Sequence, residues 1–261
     1  MTFSIDSFKL DNKVAVVTGA GGRPNSIGRA YALGLAAAGA SVVVADLSGS
    51  GAETVANEIV SAGGKAIAVQ VDITNPEATA ALASRTKEAF GGADILVNNA
   101  ALMVELSYAP VISTSLADWN KILDVNLTGA LNCAQALVPQ MRERGGGKIV
   151  NQLSGGAFPP TTAYGISKIA LLGLTTTLAR ELGPDNINVN AIAPGMVASS
   201  AGQTLVPPGS EFHDMMKAQA ALRALGQTDE LVGPLLMLCS SAGDWMSGQV
   251  LHVDGGWIIR P

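Results

Sequence analysis

The sequence predicts an α/β fold, one domain built on a doubly wound, seven-stranded parallel sheet. Three observations predict it. Short β-branched runs alternate with longer Ala- and Leu-rich stretches along all 261 residues. The seven β-branched runs are predominantly apolar, as strands buried on both faces are. A glycine-rich turn, VTGAGGRPNSIGRA from Val17 to Ala30, joins the first run to the first helical stretch. The length and even composition suit a single domain, 1–261, with no linker, repeat or low-complexity segment.

Each element follows in order. KVAVVT (13–18) is a strand by length and valine content, and 26–39 is a helix with a Gly stop. SVVVAD (41–46) is the second strand, followed by a helix over 51–62. AIAVQVD (66–72) is the third, followed by a helix over 76–90 with proline in its first turn. DILVNNA (94–100) is a strand, and 116–143 reads as one long helix. KIVNQLS (148–154) precedes a helix over 161–183. INVNAIAP (187–194) is the sixth strand, 228–240 a helix, and QVLHVDGG (249–256) carries the last strand. A Met-, Pro- and Ser-rich insert, 196–222, interrupts this rhythm.

Composition narrows the function. Apolar residues make up 48 % and charged ones 14 %, enough for a large core and for contacts between subunits. A net charge of −5 without a basic cluster argues against nucleic acid and anionic membranes. No run of about 18 apolar residues occurs, so no bilayer span is expected. The N-terminus MTFSIDSFKLDNK lacks the pattern of a signal peptide. Cys133 and Cys239 read as buried small hydrophobes in a reducing, cytoplasmic setting. His213 and His252 lack metal-ligand spacing, so no metal is expected.

In an open parallel sheet, ligands bind beyond the carboxyl ends of the strands. That rule selects Gly19–Gly28, Asp46, Asp72, Asn98–Ala101, Ser154 and Pro194–Gly195. Asp46 ends the second strand, 18 residues after Gly28. A carboxylate there suits an adenosine ribose diol and repels a 2′-phosphate, which favours NAD over NADP. Asp72 can accept from an adenine amino group. Asn side chains at 98–99 can fix the turn after the fourth strand.

These segments together resemble the short-chain dehydrogenase/reductase family over essentially the whole chain. TGAGG…SIG resembles its T-G-x-x-x-G-x-G loop. VDIT (71–74), NNAA (98–101), NVNAIAPG (188–195) and GQVLHVDGG (248–256) resemble its later signatures. The resemblance implies a Rossmann-type fold and a dinucleotide site. That site comprises Gly19, Ser26, Ile27, Gly28, Asp46, Asp72, Ile73, Asn99, Ala100, Tyr164, Lys168, Pro194, Gly195, Val197 and Ser199.

The chemistry centres on AYGISK. Tyr164 and Lys168 share one helix face at i and i+4. Removing an alcohol proton as hydride leaves needs a base near neutral pH, whereas a free tyrosine titrates near about 10. An ammonium about 4 Å away contributes roughly 4 kcal/mol at an effective dielectric near 20, or about three pKa units. With the oxidised nicotinamide's charge added, Tyr164 would titrate near about 7. The family resemblance implies that Tyr164 is the general acid/base, that Lys168 lowers its pKa and binds ribose, and that Ser154 bonds the substrate oxygen. It further implies that Asn126, inside the long helix, holds a water of the proton relay.

The sequence departs from the family pattern in places. Eight residues separate Gly19 from Gly28, about three more than usual, and Ser26 stands for the middle glycine. The loop is therefore read as an expanded phosphate cradle. Asn25 or Ser26 would cap the following helix, and GRPN would bulge outward. Ala101 replaces the last glycine of N-N-A-G, and Ser199 replaces a common threonine. The gap from Ser154 to Tyr164 is also shorter than usual.

The insert 196–222 is expected to form the lid. Met196, Val197, Leu205, Val206, Pro207, Pro208, Phe212, Met215 and Met216, with Leu102, Met103, Val104 and Phe158, would wall an apolar pocket; Glu105, Glu211 and His213 are its few polar candidates. An apolar secondary alcohol or ketone fits it best. The resemblance implies a homotetramer, a dimer of dimers paired through 116–143 and 161–183. Ala170, Leu171, Leu174 and Leu178 would face the partner, with the tail GWIIRP as a further contact. Two other readings stand beside this one. One is a reductase of enoyl-carrier-protein or 3-oxoacyl substrates, and the other a non-catalytic NAD-sensing regulator.

Overall fold

The computed structural model describes residues 4–103 and 110–259. Seven strands form one parallel sheet. They are β1 (Val14–Thr18), β2 (Ser41–Asp46), β3 (Lys65–Gln70), β4 (Ile95–Asn98), β5 (Gly147–Gln152), β6 (Ile187–Pro194) and β7 (Val250–Val253). Their order is β3-β2-β1-β4-β5-β6-β7. The chain builds outward from β1 in one direction, then returns past it to build in the other. This leaves a switch point between β1 and β4, where open α/β sheets bind ligands.

Helices cover both faces. They are α1 (Ile27–Ala37), α2 (Gly49–Ser61), α3 (Pro76–Phe90), α4 (Leu116–Leu123), α5 (Gly129–Glu143), α6 (Ala163–Leu182), α7 (Ser200–Leu205), α8 (Glu211–Gln219) and α9 (Val232–Cys239). Local chemistry sets their starts. Ser26, Ser48, Asn75, Ser115, Thr162, Ser199 and Ser210 each accept a first-turn backbone N–H of the helix that follows.

The side-chain alternation of a strand divides the core. Ala15 and Val17 of β1 pack with Tyr31, Leu35 and Ile59 on one face. Val16, between them, packs with Leu96, Leu137 and Ile149 on the other. All are essentially sealed from solvent. Truncating such a leucine to alanine costs about 2–5 kcal/mol. Cys133 and Cys239 are buried, and burial pushes both thiols up to about 12.

The edge of the sheet away from the strand carboxyl ends is pinned by Asp94. Its carboxylate accepts from Val14 N (2.8 Å), Arg144 Nε (3.0 Å) and Arg144 Nη2 (2.8 Å). Lys13 Nζ stands 3.6 Å away.

Two expectations change. The stretch 116–143 is not one α-helix: a π turn, Asp124–Thr128, separates α4 from α5. The insert 196–222, for which the sequence offered no element, carries α7 and α8. Leu171 and Leu178 cannot face a partner. α6 turns them into the chain's own core, and Leu174 packs there partly buried. Gly173, Thr176, Thr177 and Arg180 are exposed instead. Among the described residues no helix is long and apolar enough to cross a membrane.

Candidate active site

A cavity of about 410 Å³ opens along the carboxyl ends of the central strands. One wall is the glycine loop between β1 and α1. Gly19 adopts φ +67°, and a Cβ there would lie 2.6 Å from Ala100 Cα. A Cβ on Gly28 would lie 2.5 Å from Asn99 Nδ2 and strike the Gly19 carbonyl. Only glycine therefore lets the loop, the α1 terminus and the turn after β4 close on one another. Asn99 ties them together, donating from Nδ2 to the carbonyls of Thr18 and Gly19, each at 3.0 Å. Ser26 caps α1, accepting from Arg29 N at 3.1 Å. Ser26, Ile27 and Gly28 all line the cavity, so the α1 N-terminus faces it.

Of the GRPN bulge, Arg23 stays at the cavity wall. Asn25 does not cap α1. It turns to the other wall, donating from Nδ2 to Ala198 O at 2.8 Å.

Asp46 lines the cavity at the carboxyl end of β2. It is 8 % exposed, and it accepts from Gly21 N (2.8 Å) and Ser48 N (2.9 Å). Ordered at the cavity edge, its carboxylate retains acceptor capacity toward a diol. Asp72 is exposed, with Oδ1 bound to Thr74 N and Oγ1 at 2.9 and 2.7 Å. Asp72 and Ile73 line the cavity beside Ala100.

The opposite end carries the chemistry-bearing side chains. Ser154, Tyr164 and Lys168 line the same cavity, despite the short segment between Ser154 and Tyr164. Ser154 Oγ accepts from Gly156 N at 3.1 Å, which leaves its own O–H to donate. Lys168 is 1 % exposed, and Nζ lies 5.6 Å from the Tyr164 ring centroid. Desolvation lowers its pKa to about 7. Pro194, Gly195, Val197 and Ser199 complete this end. Ser199 Oγ accepts from Gly202 N at 3.0 Å as the cap of α7, and its proton stays available.

Asn126 lies apart from this lining. It is buried within the π turn. Its Oδ1 accepts from Leu102 N (2.8 Å), and Nδ2 donates to Leu102 O (3.1 Å) and Ser167 Oγ (3.0 Å). It thereby holds the loop after β4 against α6.

The apolar wall is partly the expected one. Leu102, Met103, Met196, Val197 and Leu205 line the cavity. Phe158 instead packs against His252, the rings tilted by 60° with centroids 5.1 Å apart. Val206, Pro208 and His213 line a second cavity of about 430 Å³ behind α7. Phe212 and Met215 are largely exposed, and Met216 is buried. Val104, Glu105 and the last two residues of GWIIRP lie outside the described residues.

Sequence reasoning missed one contributor and gave another the wrong partners. Gln152 lines the cavity, gives its carbonyl to Lys168, and accepts from Tyr31 Oη at 2.8 Å. Its place at the end of β5 was the available signal. Asn25 had no signal beyond its place in the expanded loop.

A glycine cradle at a helix N-terminus, an ordered strand-end carboxylate and a buried lysine fit a nicotinamide dinucleotide. Comparison with known proteins agrees. A family described as Enoyl-(Acyl carrier protein) reductase matches residues 21–258. An uncharacterized oxidoreductase of Mycobacterium tuberculosis is 46 % identical over 96 % of this chain and 99 % of its own. The 7alpha-hydroxysteroid dehydrogenase of Escherichia coli K12 is 36 % identical over 98 % of each. A solved 7alpha-hydroxysteroid dehydrogenase, complexed with NADH and 7-oxo glycochenodeoxycholic acid, superposes with TM-score 0.90 at 36 % identity over 98 % of each chain. A structure from Beutenbergia cavernae with NADP bound at low occupancy gives 0.88 at 37 %, covering 96 % of this chain and 98 % of its own. Likeness that runs nearly the full length of all these chains makes this protein a member of the short-chain dehydrogenase/reductase family of oxidoreductases.

Proposed function

We propose that this enzyme is an NAD-dependent dehydrogenase that interconverts an apolar secondary alcohol and its ketone. The observation that carries this reading is the gathering of Ser154, Tyr164 and Lys168 at one end of a cavity that Asp46 borders at the other.

A bound nicotinamide dinucleotide supplies the hydride acceptor in oxidation and the donor in reduction. The Ser154 hydroxyl, held by Gly156 N, donates to the substrate oxygen and orients it. Tyr164 Oη takes the proton from that oxygen in oxidation and returns it in reduction. When protonated, Lys168 favours the phenolate by its charge, and it bonds the ribose hydroxyls beside it. Asn126 keeps the loop after β4 and α6 in register. A water beside it would pass the Tyr164 proton outward. Asp46 accepts from the adenosine ribose diol and disfavours a 2′-phosphate.

Leu102, Met103, Met196 and Leu205 suit an apolar substrate, as does kinship with a hydroxysteroid dehydrogenase. A homotetramer in the cytoplasm is the expected state. Steady-state rates with NAD and NADP across hydrophobic alcohols, sugars, and 3-oxoacyl and enoyl thioesters test the reading. The expected result is turnover of hydrophobic alcohols with NAD. Preference for sugars or thioesters would overturn the substrate class. Dinucleotide binding without turnover of any of them would favour the sensing role.

A further inference from the structure

Asn25 bridges the two walls of the cavity. Its backbone N–H donates to Ser200 Oγ (3.1 Å), and its carbonyl accepts from Ser200 N (2.7 Å). Its side chain donates from Nδ2 to Ala198 O (2.8 Å), and Oδ1 accepts from Thr228 Oγ1 (3.1 Å). Three neighbours on the far wall are thus held by one loop residue. The adjacent positions matter. Ser26, next to Asn25, caps α1, and Ser199, next to Ser200, caps α7. Ser26 and Ser199 both line the cavity.

We propose that Asn25 is a positioning residue that couples occupancy of the dinucleotide site to ordering of the 196–222 segment across it. The inference rests on reading the cavity as a dinucleotide site. A pyrophosphate held at the α1 N-terminus restrains Ser26, and so the backbone of Asn25. The bonds of Asn25 to Ala198 and Ser200 carry that restraint to the start of α7. Ala198 is itself tied to Gly226, since Ala198 N donates to Gly226 O at 2.8 Å. The restraint therefore reaches the start of the segment and Gly226, just beyond its end. Coupling of this kind is reciprocal: a substrate held under the segment tightens dinucleotide binding by the same factor. Asparagine suits the task because its short side chain ends in both a donor and an acceptor, and both are in use.

The test compares wild type with Asn25→Ala, Asn25→Asp and Thr228→Val. NADH titration by fluorescence gives affinity. Trypsin digestion at Lys217 and Arg223, with and without NAD, reads order in the segment. Asn25 is exposed, so the melting temperature of Asn25→Ala without NAD should match wild type. Asn25→Ala should bind NADH about tenfold more weakly, the effect of losing two side-chain hydrogen bonds. It should also lose the protection from trypsin that NAD confers on wild type. Thr228→Val should fall between, since it removes one of those bonds; Asn25→Asp, whose carboxylate would face the Ala198 carbonyl, should be at least as weak as Asn25→Ala. A merely structural role would lower the melting temperature without NAD and leave NAD-dependent protection intact. Wild-type NADH affinity with full protection in Asn25→Ala and Thr228→Val would overturn the coupling alone. Failure of wild type to bind either NADH or NADPH would overturn the dinucleotide reading and the coupling with it.

Discussion

Lys168 Nζ donates to the carbonyl oxygen of Gln152 at 2.8 Å, inside a wall that leaves the lysine almost no exposure. That carbonyl is the neutral partner that holds the amine of Lys168 toward the cavity, while desolvation lowers its affinity for a proton. The geometry has a consequence for stability. In the unfolded chain the lysine keeps its proton to about 10.5, and in the folded protein it gives it up near about 7. Between these values the unfolded state binds more protons, so stability from this group rises with pH. Lys168→Met should therefore melt above wild type at pH 6. The gap should shrink as pH rises from 7 toward 10. Thermal melts without dinucleotide over that range check it; a gap that does not depend on pH would contradict it.

Tyr164→Phe removes the hydroxyl that carries the substrate proton in the proposed reaction, and spares the cavity's shape. The turnover number should fall roughly 10²–10⁴-fold, the usual worth of a positioned acid/base. NADH affinity should stay within about twofold, since no cradle contact is lost. Single-turnover rates together with NADH titration separate the two effects.

Asp46→Ala should weaken NAD about tenfold to a hundredfold, as loss of a charged acceptor does. It should also raise the relative rate with NADP, because the repulsion toward a 2′-phosphate is gone. Part of the loss will come from the loop, since Gly21 N and Ser48 N lose their common acceptor. The ratio of kcat/KM for the two dinucleotides isolates the specificity term.

Asp94→Ala strikes the far edge of the sheet. It strands Arg144 and leaves Val14 N without its side-chain acceptor. Urea unfolding should show a loss of about 2–4 kcal/mol. NADH affinity at a temperature where the variant is folded should match wild type.

Most of the fold was legible because several local signals agreed. The helix Pro76–Phe90 lies where expected, with Asn75 as cap, proline in its first turn, and Gly91 at φ +82° to end it. The cavity lining was legible for a related reason. A parallel sheet places its chemistry at strand ends, and glycine, aspartate and asparagine stood there. What escaped depended on contacts distant in sequence. Asn25 and Ser200 are 175 positions apart, and no periodicity relates them. Leu171 and Leu178 carry no mark of whether a helix will face its own sheet or another subunit. Asn126 could be picked out as a polar residue inside a helical stretch, but its bonds to Leu102 and Ser167 depend on a π turn that composition does not reveal.

The π turn at Asp124–Thr128 also changes how mutations along this region should be read. An α-helix advances about 100° per residue, and a π turn carries one residue more within a single turn. α4 and α5 therefore share a continuous backbone while their faces are out of phase. Val125 looks into the cavity, and its neighbour Asn126 grips Leu102 and Ser167. A one-residue deletion inside 124–128 would bring the two helices into a common phase. A better helix would then be obtained by turning Val125 from the cavity and breaking the bonds of Asn126 to Leu102 and Ser167.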